Sequence, residues 1–281
     1  MSERRACKTL EQPRSTQRYR IIEKEDEPRL VTRIFQLVGE FPRYGYRMIT
    51  RMLRQEGWHV NFKRIYRIYR IWRREGLKVP RKKRKKRHLG DSRGGIFRRK
   101  ATHPNHVWSI DFIFDRTVNG RPLKILSLID EFTRECIALD VQRRFTGEDL
   151  IRLLVEVFRS RGVPTFIRSD NGPEFISHRV QEFLNQIDIG TSYIQPGSPW
   201  ENGFVESFHS RLRDECLACE EFTTLHEAQR VIAGWRETYN HRRPHSSLLG
   251  LPPATFAQQY SDSVTVAPLP ALRQNTVQPI T

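Results

Sequence analysis

The sequence predicts an α/β protein: a mixed five-stranded sheet with flanking helices, preceded by a small all-α domain. Three observations carry that prediction. The 281-residue chain has a formal net charge of +17, unevenly spread: residues 1–104 hold 31 Lys and Arg against 10 Asp and Glu, and the rest hold 18 against 22. Apolar residues recur with a helical period up to about residue 75 and in strand-like runs from Val107 onward. In that second half three strand-like runs come in succession and then alternate with helices. The order βββαβαβα places antiparallel and parallel neighbours in one sheet. A chain of this length is expected to divide into two domains and linkers.

The elements follow in order. Residues 1–27 are polar and charged without a sustained period, and are expected to form a loosely ordered arm. Leu30, Ile34, Leu37, Val38 and Phe41 then fall on one helical face, stopped by Pro42. A second short helix spans Gly45 to Glu56 through Ile49, Met52 and Leu53, and Gly57 closes it. Asn61 is placed to N-cap a third helix that runs to about Glu75 and ends at Gly76. At about 100° per residue, Lys63, Arg67, Arg70 and Arg74 share one stripe, opposite Ile65, Ile68, Tyr69 and Trp72. One face packs and the other presents cations, as a recognition helix does in a groove. A merely solvated basic face is the alternative, but the two preceding short helices complete a helix-turn-helix arrangement over residues 28–78.

Pro80 opens a run of seven cations, Arg81, Lys82, Lys83, Arg84, Lys85, Lys86 and Arg87. Such a block repels itself; it can cross phosphates with a strong salt dependence or serve as a solvated tether. With the glycine-containing stretch that follows it forms a basic linker, residues 79–104.

The second domain begins with strands Val107–Phe114, Leu123–Ile129 and Cys136–Val141, turned at Asn119-Gly120 and at Asp130–Arg134. A helix, Gly147–Arg161, precedes a short strand, Thr165–Arg168. Pro173 suits the first turn of a helix reaching about Ile187. A last strand, Gly190–Ile194, leads through the loop Gln195–Pro199 to a helix that begins near Glu201. Together these elements make a core over residues 105–222. A helical extension follows at 223–260, centred on Leu225–Tyr239, with a frayed tail at 261–281.

Several classes are disfavoured. No apolar run approaches the roughly 18–20 residues of a membrane span, and the N-terminus lacks an apolar signal core. A soluble cytoplasmic protein with no membrane partner is therefore expected. Of the four cysteines only Cys216 and Cys219 are close. Completing a zinc site with His241 and His245 requires a gap longer than the usual ~12–15 residues. Reduced thiols are the expectation.

Three acidic residues stand out. Asp111 lies inside an apolar strand, Asp170 at a strand-to-turn junction and Glu206 early in a helix, with 35 residues between Asp170 and Glu206. Carboxylates so placed are costly unless compensated, and a pair of divalent ions would compensate them. Asp130 and Glu131 compete for such a role, but their tight turn explains them, and the first turn of a helix explains Glu174. Asn171 and Asn202 neighbour two of the three and could orient a metal-bound group. Tyr193 and Trp200 could stack on bases or simply pack.

The chain resembles the ribonuclease-H-like superfamily, in its transposase and retroviral integrase branch. It is most similar there to the OrfB-type catalytic subunit of the insertion-sequence-three family. The resemblance lies in Val107-Trp-Ser-Ile-Asp111, Asp130-Glu-Phe-Thr-Arg134, Ile167-Arg-Ser-Asp-Asn-Gly-Pro-Glu-Phe175 and Pro196-Gly-Ser-Pro-Trp-Glu-Asn-Gly203. Glu206-Ser-Phe-His-Ser-Arg-Leu-Arg213, Tyr239-Asn-His-Arg-Arg-Pro-His-Ser-Ser-Leu248, Gly45-Tyr-Arg47 and Asn61-Phe-Lys-Arg-Ile-Tyr66 extend it over most of residues 1–260. The resemblance implies that Asp111, Asp170 and Glu206 form an Asp–Asp–Glu triad holding two Mg²⁺, with Mn²⁺ as a substitute, for DNA strand cleavage and transfer. Arg213, two helical turns past Glu206, matches a basic residue that would hold a phosphate nearby. Double-stranded DNA, a homo-oligomer on DNA and association with the nucleoid are implied as well. In related elements the active enzyme is usually a fusion with an upstream-frame product, OrfA. This chain has its own Met1 and no heptad repeat and so resembles the downstream product alone, for which an OrfA-type partner or fusion is expected. A non-catalytic repressor of transposition and a structure-specific nuclease of the same fold are the competing functions.

Overall fold

The computed structural model describes residues 2–19, 24–72, 100–170, 172–193 and 203–261. Arg74, the cations Arg81–Arg87, Asn171, Trp200 and Asn202 lie outside these residues, as does the tail beyond residue 261. Among the described residues no helix is long and apolar enough to cross a membrane. The chain divides into two compact units.

The first unit is all helical. Residues expected as a loose arm contain two short helices, α1 (Glu3–Thr9) and α2 (Arg14–Gln17). Arg18 forms a two-pronged ion pair with Glu3, a sequence-distant contact that no local period reveals. Helices α3 (Glu27–Glu40), α4 (Tyr46–Gln55) and α5 (Phe62–Trp72) follow. Leu30, Ile34, Leu37, Ile49, Leu53 and Ile65 are fully buried and make the core of this unit. Gly57 supplies the left-handed turn after α4, with φ +88°. Asn61 caps α5 as expected, its Oδ1 accepting from the Arg64 N–H at 2.8 Å.

In the second unit β1 (Val107–Arg116) pairs antiparallel with β2 (Pro122–Asp130), and β2 pairs antiparallel with β3 (Cys136–Gln142). Helix α6 (Gly147–Arg161) starts at a reciprocal cap between Thr146 and Asp149. Strand β4 (Phe166–Ser169) runs parallel to β1, and β5 (Gly190–Tyr193) runs parallel to β4. The strand order is β3-β2-β1-β4-β5, the mixed sheet that the element order predicts. Between β4 and β5, helix α7 (His178–Gln186) begins five residues later than Pro173 suggests. The segment before it is held instead by side chains: Phe175 stacks on Phe112 at 5.1 Å, and Lys124 pairs with Glu174. The place of Glu174 is thus set by a lysine on β2, not by a helix dipole.

Alternation along β1 sorts the two faces of the sheet. Trp108 and Ile110 enter a core with α6 and α7 that includes Leu150, Leu154, Val180 and Leu184. Ile113, Ile125 and Leu139 face the other way, against α8 (Gly203–Leu212) and α9 (Leu225–His241). Asp111 shares its face of the strand with Ile113, and so looks toward α8.

Helix α9 also closes the free edge of β3. Asn240 Oδ1 accepts from the Cys136 N–H at 2.9 Å, and its Nδ2 donates to the Cys136 carbonyl at 3.0 Å. Gln229 and Arg236 donate to the carbonyls of Val141 and Ile137. A row of backbone groups that would otherwise template another strand is thereby satisfied. Asn240→Ala leaves two buried backbone groups unpaired and is expected to cost about 2–4 kcal/mol. Thermal or urea unfolding checks this, and a loss below about 1 kcal/mol contradicts the edge-cap role. Beyond α9 a 3₁₀ turn, Ser246–Leu248, leads to α10 (Pro253–Ser261), whose Phe256 and Tyr260 pack on Phe132.

Candidate active site

Strand β1 carries Asp111 opposite Ser127 of β2. The Asp111 side chain is mostly buried, and one carboxylate oxygen accepts from the Phe112 N–H at 2.7 Å. Asp170 follows the last residue of β4, is exposed, and accepts the Gly172 N–H at 3.0 Å. A Cβ at Gly172 would itself stand 3.0 Å from Asp170 Oδ1, so a larger residue there would displace that carboxylate by a few tenths of an ångström. Glu206 is exposed in the first turn of α8.

The structure brings Asp170 and Glu206 into electrostatic reach of Asp111. Burial, then the negative charges of Asp170 and Glu206, push the Asp111 carboxyl up from 3.8 to about 6. The backbone hydrogen bond from Phe112 and the Arg213 guanidinium oppose that rise. Arg213 opens the π-helical turn Arg213–Leu217 after α8, so the face predicted for it points toward Asp111. Hard oxygen donors whose mutual repulsion is only partly relieved suit a divalent cation such as Mg²⁺. They are not drawn into one cluster: among the described residues no three His, Cys, Asp or Glu side chains stand close enough to hold a metal ion.

The raised Asp111 carboxyl has a consequence for stability. Between about pH 4 and 6 the folded chain retains a proton that the unfolded chain releases, so this group's contribution falls as pH rises through that window. Without divalent ions, Asp111→Asn is expected to be more stable than wild type at pH 8, by on the order of 2 kcal/mol. The difference is expected to vanish toward pH 4. Parallel stability curves from pH 4 to 8 contradict this assignment.

Two residues that periodicity passes over complete the site. His209, one turn beyond Glu206, is buried, with Nε2 2.7 Å from Ser127 Oγ and Nδ1 3.8 Å from Asp111 Oδ2. Burial and then Arg213 lower its imidazole to about 4, so the ring is neutral at physiological pH. The available signal was a lone polar residue in the stripe Val205, Phe208, Leu212.

The competing acids have other work. Asp130 accepts from the N–H groups of Asn105, Phe132 and Thr133, as a turn residue does. Glu131 does not act locally: it is buried, accepts from Ser109 Oγ and pairs with Arg168 of β4. Arg134 stacks its guanidinium 3.6 Å from the centre of the Phe204 ring, at the start of the helix that carries Glu206.

In the helical unit Lys63 is exposed and Arg67 is shared with Glu27 at 2.9 Å. Arg64, off the predicted stripe, is clamped between Asp26 and Glu27. Arg70 lies on α5, but its side chain is outside the described set.

Comparison with known proteins adds three findings. An integrase core domain family matches residues 101–199, a second integrase core domain family matches 187–253, and an HTH-like domain family matches 23–85. The chain is 39% identical over 260 residues to the uncharacterized 31.7 kDa protein of insertion element IS407 from Burkholderia multivorans, covering 92% of each chain. It is 30% identical over 230 residues to the transposase for insertion sequence element IS904 from Lactococcus lactis, covering 78% of this chain and 89% of that one. Among solved structures it is similar to the HTLV-2 integrase catalytic core domain in complex with magnesium, at 21% identity. The match covers 55% of this chain and 97% of that one, with a TM-score of 0.44.

Proposed function

The chain belongs to the insertion-element transposases that carry an integrase core domain behind an HTH-like domain, and on that premise we propose that Asp111, Asp170 and Glu206 are its catalytic carboxylates. It is a DDE-type polynucleotidyl transferase of DNA transposition and integration. The observation that supports the residue assignment is the action of two negative charges, Asp170 and Glu206, on a carboxyl buried in the central strand.

In this proposal Asp111, Asp170 and Glu206 hold two Mg²⁺, or Mn²⁺ in their place. When bound, these ions activate a water or a DNA 3′-hydroxyl and stabilise the leaving oxygen of an in-line displacement at phosphorus. Asp111 would supply the rigid ligand, because it is paired with Ser127 of β2 just beyond the stretch where β1 also pairs with β4. Asp170 and Glu206 approach from a turn and a helix end. The Arg213 side chain makes no hydrogen bond or ion pair with the described residues, and it would hold a DNA phosphate beside the carboxylates. Asn171 and Asn202 would orient groups bound there. Lys63, with Arg67, Arg70 and Arg74, would face the element end, and the cations Arg81–Arg87 would cross its backbone phosphates. Because two ends must be processed together, a homo-oligomer on DNA is proposed, with an OrfA-type partner or fusion supplying further end recognition.

The test is cleavage and strand transfer on DNA bearing both element ends, in Mg²⁺, with and without the upstream-frame product. Products that require Mg²⁺ and increase with the partner support the proposal. Good DNA binding with no products under either condition favours the repressor function.

A further inference from the structure

Helix α8 buries one stripe against the sheet: Val205, Phe208, His209 and Leu212. Three of these are apolar and meet an apolar layer that includes Ile113, Ile125, Ile129 and Leu139. His209 is the exception, and it is 7% exposed. A buried imidazole in such a layer is costly unless its polar atoms are met. Its partner is equally out of place: Ser127 is fully buried in the apolar run of β2, directly across from Asp111. Ser127 Oγ donates to the Asp111 carbonyl at 3.1 Å. A hydroxyl has a single hydrogen, so the His209 Nε2–H donates to Ser127 Oγ across the 2.7 Å contact. The chain of bonds therefore runs from α8 through β2 to the backbone of Asp111. The other edge of the ring stands 3.8 Å from the Asp111 carboxylate.

Packing alone does not call for this pair, since a leucine at 209 and an alanine at 127 fit an apolar layer. What the pair adds is register. Apolar stripes slide against one another at little cost, whereas a hydrogen bond between two buried groups has one satisfied position. Glu206 lies three residues before His209 on the same helix, so the register of α8 fixes where its carboxylate stands relative to Asp111.

We propose that His209 is a positioning residue: pinned to Ser127, it sets the separation of Glu206 from Asp111 and hence the affinity of the carboxylate set for a divalent cation. This rests on the assignment of Asp111 and Glu206 as metal ligands.

The test is Mn²⁺ binding to the full chain, followed by electron paramagnetic resonance, alongside thermal unfolding. His209→Leu keeps volume and removes the pin. It is expected to fold with an unchanged or higher melting temperature and to bind Mn²⁺ about 10-fold or more weakly, the scale of losing a group that orients a ligand. Ser127→Ala is expected to weaken Mn²⁺ binding in the same sense. The double variant is expected to be no worse than His209→Leu alone, because both changes break one link. His209→Leu with wild-type Mn²⁺ affinity, while Asp111→Asn has lost it, overturns the pin and leaves the triad standing. Mn²⁺ binding unaffected by Asp111→Asn overturns the triad assignment and the pin with it. Additive losses in the double variant show that the two residues act separately, which also overturns it.

Discussion

Glu206→Gln is expected to abolish strand cleavage and strand transfer, by at least about 10³-fold, while DNA binding stays within about twofold of wild type. Removing one group that stabilises developing charge costs roughly 10²–10³-fold in other enzymes, and a metal ligand both positions and stabilises. The substitution is nearly isosteric, and Glu206 is exposed in the first turn of α8, so folding is not at stake. Asp111→Asn is expected to be as inactive but more stable above pH 6 when metal is absent, because burial and two neighbouring carboxylates hold the wild-type group under stress. Cleavage and joining on paired element ends, with a gel-shift measurement of binding, separates the two effects. Residual activity within about tenfold of wild type contradicts a ligand role for Glu206.

The second large effect lies beneath the site. Glu131 and Arg168 form an ion pair with both side chains almost wholly buried, and Ser109 adds its hydroxyl. Glu131 Oε2 has no hydrogen-bond partner among the described residues, so the pair is incompletely satisfied. Glu131→Gln leaves the Arg168 charge buried without its counter-ion, and a loss of about 3–5 kcal/mol is expected. For a chain of this size that lowers the melting temperature by roughly 10 °C. Arg168 lies two residues before Asp170, so transfer activity is expected to fall further than the fraction folded explains. Replacing both partners with apolar residues, Glu131→Leu with Arg168→Met, is expected to recover much of the stability. A single-variant loss below about 1 kcal/mol contradicts an anchoring role for the pair.

Strand and helix order was legible because the long helices each have an apolar face and the central strands, covered on both sides, read as short apolar runs between turn residues. Helix α6 begins and ends at the predicted residues, where Thr146 and Gly162 mark both ends. What was not legible depends on contacts between distant residues. Helix α7 begins at His178 and not at Pro173, because Phe175 and Glu174 are spent on anchoring the Asp170 turn to β1 and β2. Helices α1 and α2 carry no sustained period, since each is too short to show one. Of the three proposed carboxylates, Asp111 announced itself as a charge where an apolar residue was due, whereas Asp170 and Glu206 stand at exposed positions and were legible through the resemblance. His209 and Ser127 sent the same signal more faintly, because a single polar residue in an apolar stripe is ordinary. Glu131 and Arg168 show how this fails: each has a plausible local role, and only the pairing of β1 with β4 makes them partners.

The most direct test of the central claim is the number of Mn²⁺ ions held by the chain on element-end DNA, counted in wild type and in Asp111→Asn, Asp170→Asn and Glu206→Gln. Two ions are expected in wild type, and each variant is expected to hold fewer or to bind them far more weakly. The same number, held with the same affinity, in all four proteins contradicts the assignment of these three carboxylates as the metal site.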